Sequence, residues 1–177
     1  MKVACATKGV TVSRMKQPNL PETQLEAWRR YYVSFWRIFA AIEVDLQEAG
    51  LPSLSWYDAL YELYLAPGRH LRMSELARSA LLSRSGLTRL VDKLEKEKLI
   101  ERKSCPKDGR VQHAVLTDKG VEMLRRIWPV YRAGIARYFA AHLSEEEARE
   151  FARLMGRVAT ALQPSGPADE GAKKPAR

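Results

Sequence analysis

Between positions 83 and 110 the chain reads SRSGLTRLVDKLEKEKLIERKSCPKDGR, and no other run restricts its possible folds as tightly. Leu87, Leu90, Val91 and Leu94 recur at i, i+3, i+4 and i+7, one apolar stripe along a helix. At about 100° per residue, Ser85, Arg89, Asp92 and Lys96 lie opposite that stripe, with Thr88 on its flank. Upstream, residues 74–81 form a second short helix with Leu76, Ala77, Ala80 and Leu81 apolar, and Leu82 and Ser83 make the turn between the two, Ser83 as N-cap. After Leu99 the period changes. Residues 100–103 lead out to a tip at Pro106, Lys107, Asp108, Gly109 and Arg110, and Val111, His113 and Val115 then alternate with Gln112, Ala114 and Leu116 on the way back. Two helices joined by a tight turn, then a hairpin with a basic loop, describe a helix-turn-helix followed by a wing. Ser, Thr and Arg on the exposed first turns of the second helix suit base edges and phosphates, so the pattern predicts double-stranded DNA as a partner.

The placement of charge supports this more than its total. The 177 residues carry a net charge of +9. Residues 69–110 alone contribute +6, residues 1–21 contribute +4, and residues 22–68 contribute −4. Positive potential thus concentrates where the helix and hairpin lie, the distribution expected for a polyanion-binding face. Lys93, Lys96 and Lys98 alternate with Glu95 and Glu97, which marks a solvated face that also allows phosphate contacts.

The flanking segments are helical. From 21 to 50, Leu25, Trp28, Tyr32, Phe35, Phe39, Ile42 and Leu46 step by threes and fours, the spacing of a packed seam, and Tyr31, Trp36 and Ile38 widen the apolar girth. Such a helix would run about 42 Å, long for its own domain. Ser55 is a candidate cap for the next helix, whose inner face is Leu60, Leu63 and Tyr64. Thr117 and Asp118 open a long helix with Val121, Leu124, Trp128, Tyr131, Ile135 and Tyr138 in the stripe and a kink expected at Pro129. Ser144 to Glu147 is a capping box for a last helix with Phe151, Leu154, Met155, Val158 and Leu162 inward. The expected division is a flexible basic tail (1–20), an N-terminal dimerisation helix (21–50), a winged helix-turn-helix (51–117), C-terminal dimerisation helices (118–162) and a disordered tail (163–177). The expected class is mainly α, with six helices, a two- or three-stranded wing and a helical dimerisation bundle from both chain ends. A two-fold homodimer would set two recognition helices about 34–36 Å apart, the spacing of successive major grooves.

Other chemistries find little support. Cys5 and Cys105 make no disulfide framework, which points to a reducing cytoplasm, and no apolar run is long enough to span a membrane. His70, His113 and His142 show no ligand spacing with one another or with the cysteines. With no Gly-rich phosphate loop and no catalytic constellation, the reading is not an enzyme and needs no cofactor or metal. Cys105, close to lysines and arginines, leaves a thiol-based redox sensor as an alternative, and a winged helix used for protein or RNA contact is another.

The run MSELARSALLSRSGLTRLVDKLEKEKLIERKSCPKDGRVQHAVLTDKG resembles the helix-turn-helix and wing of MarR-family transcriptional regulators, through SELA, LTRLVDKLE, LIER, DGR and LTDKG in that order. The resemblance covers roughly 55–160. It implies a homodimer on a pseudo-palindromic operator, usually as a repressor. Carried over by position, it sets Ser83, Arg84, Ser85, Thr88 and Arg89 in the major groove and Arg110 in the minor groove, oriented by Asp108. Arg in a narrow minor groove gains from its negative potential, and a nearby carboxylate can orient a guanidinium. Two positions depart from the family pattern: Gly109 stands where a second Arg is common, and Arg72 where a Ser or Thr cap precedes SELA. The resemblance also implies relief by a small aromatic or phenolic ligand. The aromatic density of the chain supplies candidates in Tyr32, Trp36, Trp56 and Tyr57, with Arg29 or Arg37 as carboxylate partner.

Overall fold

The computed structural model describes residues 19–79, 84–104 and 111–162. In chain order these form α1 (Glu22–Glu48), α2 (Leu54–Leu65), a 3-10 turn (Pro67–Arg69), β1 (His70–Arg72), α3 (Met73–Ser79) and α4 (Arg84–Lys96). There follow β2 (Ile100–Ser104), β3 (Gln112–Leu116), α5 (Asp118–Tyr138), a second 3-10 turn (Ala140–His142) and α6 (Glu145–Ala161). Six helices and one small antiparallel sheet make this the mainly helical winged class that the sequence patterns predict. No described helix is long and apolar enough to cross a membrane.

The chain separates into two compact units, Met1–Trp36 and Arg37–Arg177, with the boundary inside α1. In the first unit the helix carries a run of rings in contact along its surface. Trp28 lies 6.0 Å from Tyr31 and 5.9 Å from Tyr32, Tyr31 stacks on Phe35 at 6.4 Å, and Tyr32 meets Trp36 edge-on at 6.3 Å. Each of these five side chains keeps 40% or more of its surface exposed, which a core stripe would not. Arg29 pairs with Glu22 and Arg30 with Glu26 on the same helix.

The second unit holds the core. Leu60 and Leu63 of α2, Leu76 of α3, Val91 and Leu94 of α4, and Ile127 of α5 are fully buried, joined by Leu46 at the end of α1. The sheet runs β1-β3-β2, with Ile100 opposite Leu116 and Ser104 opposite Gln112. Its inner face presents Ile100, Ala114 and Leu116 to the helices, the two-residue alternation read from the sequence. Gly134 lets α5 approach the second half of α1: a Cβ there would stand 2.7 Å from Ile42 Cγ1. Near it, the Tyr138 hydroxyl donates to Asp45 at 3.0 Å.

Four local expectations change. α2 begins one residue before Ser55, with Ser53 in the N-cap position; the Ser53 and Ser55 hydroxyls bond each other at 2.8 Å, and Glu43 of α1 accepts the Leu54 N–H at 2.8 Å. A distant carboxylate thus does the capping that a local hydroxyl was expected to do. Tyr64 is 45% exposed, and the inner face of α2 is completed by Leu54, Tyr57 and Ala59 instead. In α5, which is continuous through Pro129, Ile127 takes the buried place and Trp128 is 44% exposed. α6 begins at the expected capping box, but none of its residues is buried, and Leu154, Val158 and Leu162 all face outward.

Candidate nucleic-acid interface

α4 is amphipathic in the sense the sequence requires. Leu87, Leu90, Val91 and Leu94 are buried, and Thr88, Arg89, Asp92, Lys93 and Lys96 are exposed. Arg84 and Ser85 form its first turn, while Ser83, Asp108 and Arg110 lie outside the described residues. The preceding helix starts without the missing hydroxyl cap: Glu75 reaches back to accept the Arg72 N–H at 2.9 Å, which is why Arg72 is tolerated there.

The end of α4 aims the chain into the wing. Leu99 N–H donates to the Leu94 carbonyl at 2.9 Å and Lys98 N–H to that of Glu95 at 2.8 Å, with Lys98 at φ 60°. This is the Schellman arrangement, closed by the apolar pair Leu94 and Leu99, both fully buried. On the far side of the sheet Thr117 closes the wing onto α5. Its hydroxyl accepts the Gly120 N–H at 3.1 Å and donates to the carbonyls of Lys98 and Leu99 at 2.8 and 2.9 Å. The Leu99 carbonyl also accepts the Thr117 N–H at 3.1 Å.

A second link between α4 and the wing was not legible in the sequence. The Arg102 guanidinium on β2 bonds Asp92 through Nη2 and faces Glu95 through Nε at 3.5 Å, and the Arg102 backbone N–H donates to Glu95 at 3.2 Å. Asp92 and Glu95 sit one turn apart, so one planar guanidinium can address both. The acid spacing was visible; its partner on another element was not. On the opposite face of the sheet, Lys103 pairs with Glu101 at 3.2 Å, and the rings of His70 and His113 meet edge-on at 5.7 Å. Cross-strand pairing brings these two histidines together across 43 positions of sequence. Among the described residues no group of three or more His, Cys, Asp or Glu is arranged to hold a metal.

Of the ligand candidates, Tyr57 is a core residue, 6% exposed, stacked on Tyr61 at 5.5 Å and on Trp128 at 6.2 Å and set edge-on to Tyr131 at 5.1 Å. Burial, then the neighbouring Tyr61, Tyr131 and Asp58, push its phenol up to about 12; burial and Asp58 also raise Tyr131. Trp56 is half-buried against the same core, and Arg37 is exposed. Tyr32 and Trp36 belong to the exposed ring run of α1, where Arg29 is already paired with Glu22. Tyr61 and Trp128 join the aromatic group around Tyr57, a cluster that helical spacing within either helix alone does not show.

Residues 49–111, which include α2, α3, α4 and β2, match the MarR family profile. YkoM of Bacillus subtilis (strain 168), an uncharacterized HTH-type transcriptional regulator, is 30% identical over 137 residues, 75% of this chain and 87% of the relative. The transcriptional repressor MprA of Escherichia coli (strain K12) is 39% identical over 71 residues, 40% of each chain. Sco3205, a MarR family transcriptional regulator from Streptomyces coelicolor whose crystal structure is a complex with DNA, superposes with a TM-score of 0.74 at 34% identity, over 82% of this chain and 91% of its own. With the family model matched over residues 49–111 and a relative 30% identical over 87% of its length, the chain is a member of the MarR family of DNA-binding transcriptional regulators.

Proposed function

We propose that the chain is a homodimeric repressor that lays α4 in the major groove of a pseudo-palindromic operator and the wing in the adjoining minor groove. The observation that carries this reading is the division of α4: its four leucine and valine positions are sealed in the core while Thr88, Arg89, Lys93 and Lys96 remain exposed. A helix held rigidly by one face and cationic on the other suits insertion into a groove lined by phosphates. Ser83, Arg84, Ser85, Thr88 and Arg89 supply the base-facing end, and Asp108 with Arg110 the minor-groove contact. The repressor sense follows the relative MprA, and the DNA partner follows Sco3205.

Dimerisation is favoured by apolar surface that the single chain leaves uncovered. Trp28, Tyr31 and Tyr32 on α1, Leu154 and Val158 on α6 and Leu162 at its C-cap are all at least 39% exposed. Relief by a small aromatic ligand is the regulatory part of the proposal. It is supported by the ring group of Tyr57, Tyr61, Trp128 and Tyr131, part of which stays open to solvent. Tyr32, Trp36, Trp56, Arg29 and Arg37 stay the sequence-based candidates for the same role.

The direct test is Arg89→Ala, measured by fluorescence anisotropy on a duplex that the wild-type protein has recovered from genomic fragments. A base contact predicts a loss of about 1–3 kcal/mol on that duplex and little change on a scrambled one. Equal affinity of variant and wild type for the recovered duplex would remove Arg89 from the reading surface.

A further inference from the structure

Two acids stand on the helix that the proposed function brings against a polyanion. Asp92 and Glu95 lie on α4 among Arg89, Lys93 and Lys96, and bare carboxylates there would repel phosphate. Instead both face Arg102 on β2. The Arg102 side chain is only 29% exposed, and its Nε is buried 3.5 Å from a Glu95 carboxylate oxygen, an ion-pair contact with no hydrogen bond at that nitrogen. Glu95 also accepts the Arg102 backbone N–H, so the strand is tied to the helix through its main chain and its side chain at one residue. Apart from this triad, β2 meets α4 at the turn of Lys98 and Leu99 and in the core, where Ile100 is buried in one cluster with Val91 and Leu94, and the other edge of the hairpin is paired with β1. The core and β1 hold the hairpin along its β3 edge; the Arg102 triad adds a direct tie from its β2 edge to α4, two residues beyond Ile100, and so sets its angle to that helix.

We propose that Arg102 is a positioning residue for DNA binding: it locks the wing at a fixed angle to α4, so that the two groove contacts are presented together. The inference rests on the proposed docking of α4 and wing. Its physical content is preorganisation. Two contacts held at the right separation bind as one event, and a wing free to swing loses that advantage without losing any contact of its own. Arg102 therefore acts through the geometry of β2 and donates nothing to phosphate.

This makes the sign of one substitution decisive. Asp92→Ala removes a negative charge from a DNA-facing helix at an exposed position where Ala is a strong helix former, so the variant folds. Charge alone predicts tighter binding; the lock predicts weaker binding, about threefold to tenfold. On the recovered duplex, Arg102→Ala should lose on the order of tenfold in affinity with an unchanged slope of affinity against salt, and the double variant should bind no more weakly than Arg102→Ala. Amide exchange of the free protein over residues 100–104 should quicken in both single variants. Tighter binding by Asp92→Ala, a salt slope reduced by about one phosphate contact in Arg102→Ala, or losses that multiply in the double variant would overturn the lock. If even the wild type prefers no duplex over random DNA, the docking reading fails, and the exchange rates alone decide whether Arg102 holds the wing.

Discussion

Tyr57 illustrates how a single side chain couples packing to pH. Its phenol is pushed up to about 12 chiefly by burial, so the folded chain favours the neutral form. In the unfolded chain the same group ionises near 10. Between these values the unfolded state releases a proton that the folded state keeps, and stability falls as pH rises from about 10 to about 12, with the full loss present above that. Below pH 10 the group makes no pH-dependent contribution. Urea midpoints measured at pH 9.5 and 11 should therefore drop less in Tyr57→Phe than in the wild type; parallel drops would show that Tyr57 is not the group responsible. Residues of this kind mark a limit of sequence reading. The stripe of Leu87, Leu90, Val91 and Leu94 was legible because a helix of that period can bury only one face. The fates of Tyr57, Tyr64 and Trp128 were not, because periodicity gives the face of a helix and not the depth of what covers it.

At the level of elements, the helices, the caps at Thr117 and Ser144 and the two strands around the wing were legible, since each is specified within a few consecutive residues. Thr117 and Ser144 cap as their spacing predicts. What the sequence did not display were contacts between elements: Glu43 capping α2, β1 pairing with β3, and Arg102 bridging two acids of α4. The junction of wing and α5 yields a prediction with two opposed terms. A Cβ on Gly120 would lie 2.3 Å from the Leu99 carbonyl oxygen and 2.6 Å from Leu116 Cδ1. That oxygen is held by the Thr117 N–H and hydroxyl and has little room to retreat. Helix propensity favours Gly120→Ala by about 1 kcal/mol, whereas overpacking costs about 1–3 kcal/mol and backbone must move to relieve it. The clash should win, with chemical denaturation showing a net loss of stability. A gain would mean that the junction is looser than its distances indicate.

For the whole molecule, the apolar surface on α1 and α6 is the feature the chain leaves unresolved by itself. The sequence showed both stripes and assigned α6 inward; the single chain buries none of its residues. Periodicity cannot distinguish a partner in the same chain from one in a second copy, and the proposed homodimer gives that surface a partner. The proposed dimer also gives α4 its meaning as a reader. One short helix distinguishes few base pairs, whereas two copies related by a two-fold axis read an inverted repeat, with half-site centres separated by about one helical turn or a multiple of it. The measurement that bears most directly on this account is sequencing of the double-stranded fragments that the purified full chain retains from sheared genomic DNA. The account predicts enrichment of an inverted repeat whose half-site centres lie about 10 base pairs, or a multiple of that, apart. Recovery of fragments no different from the input, or of a lone half-site with no inverted mate, would contradict it.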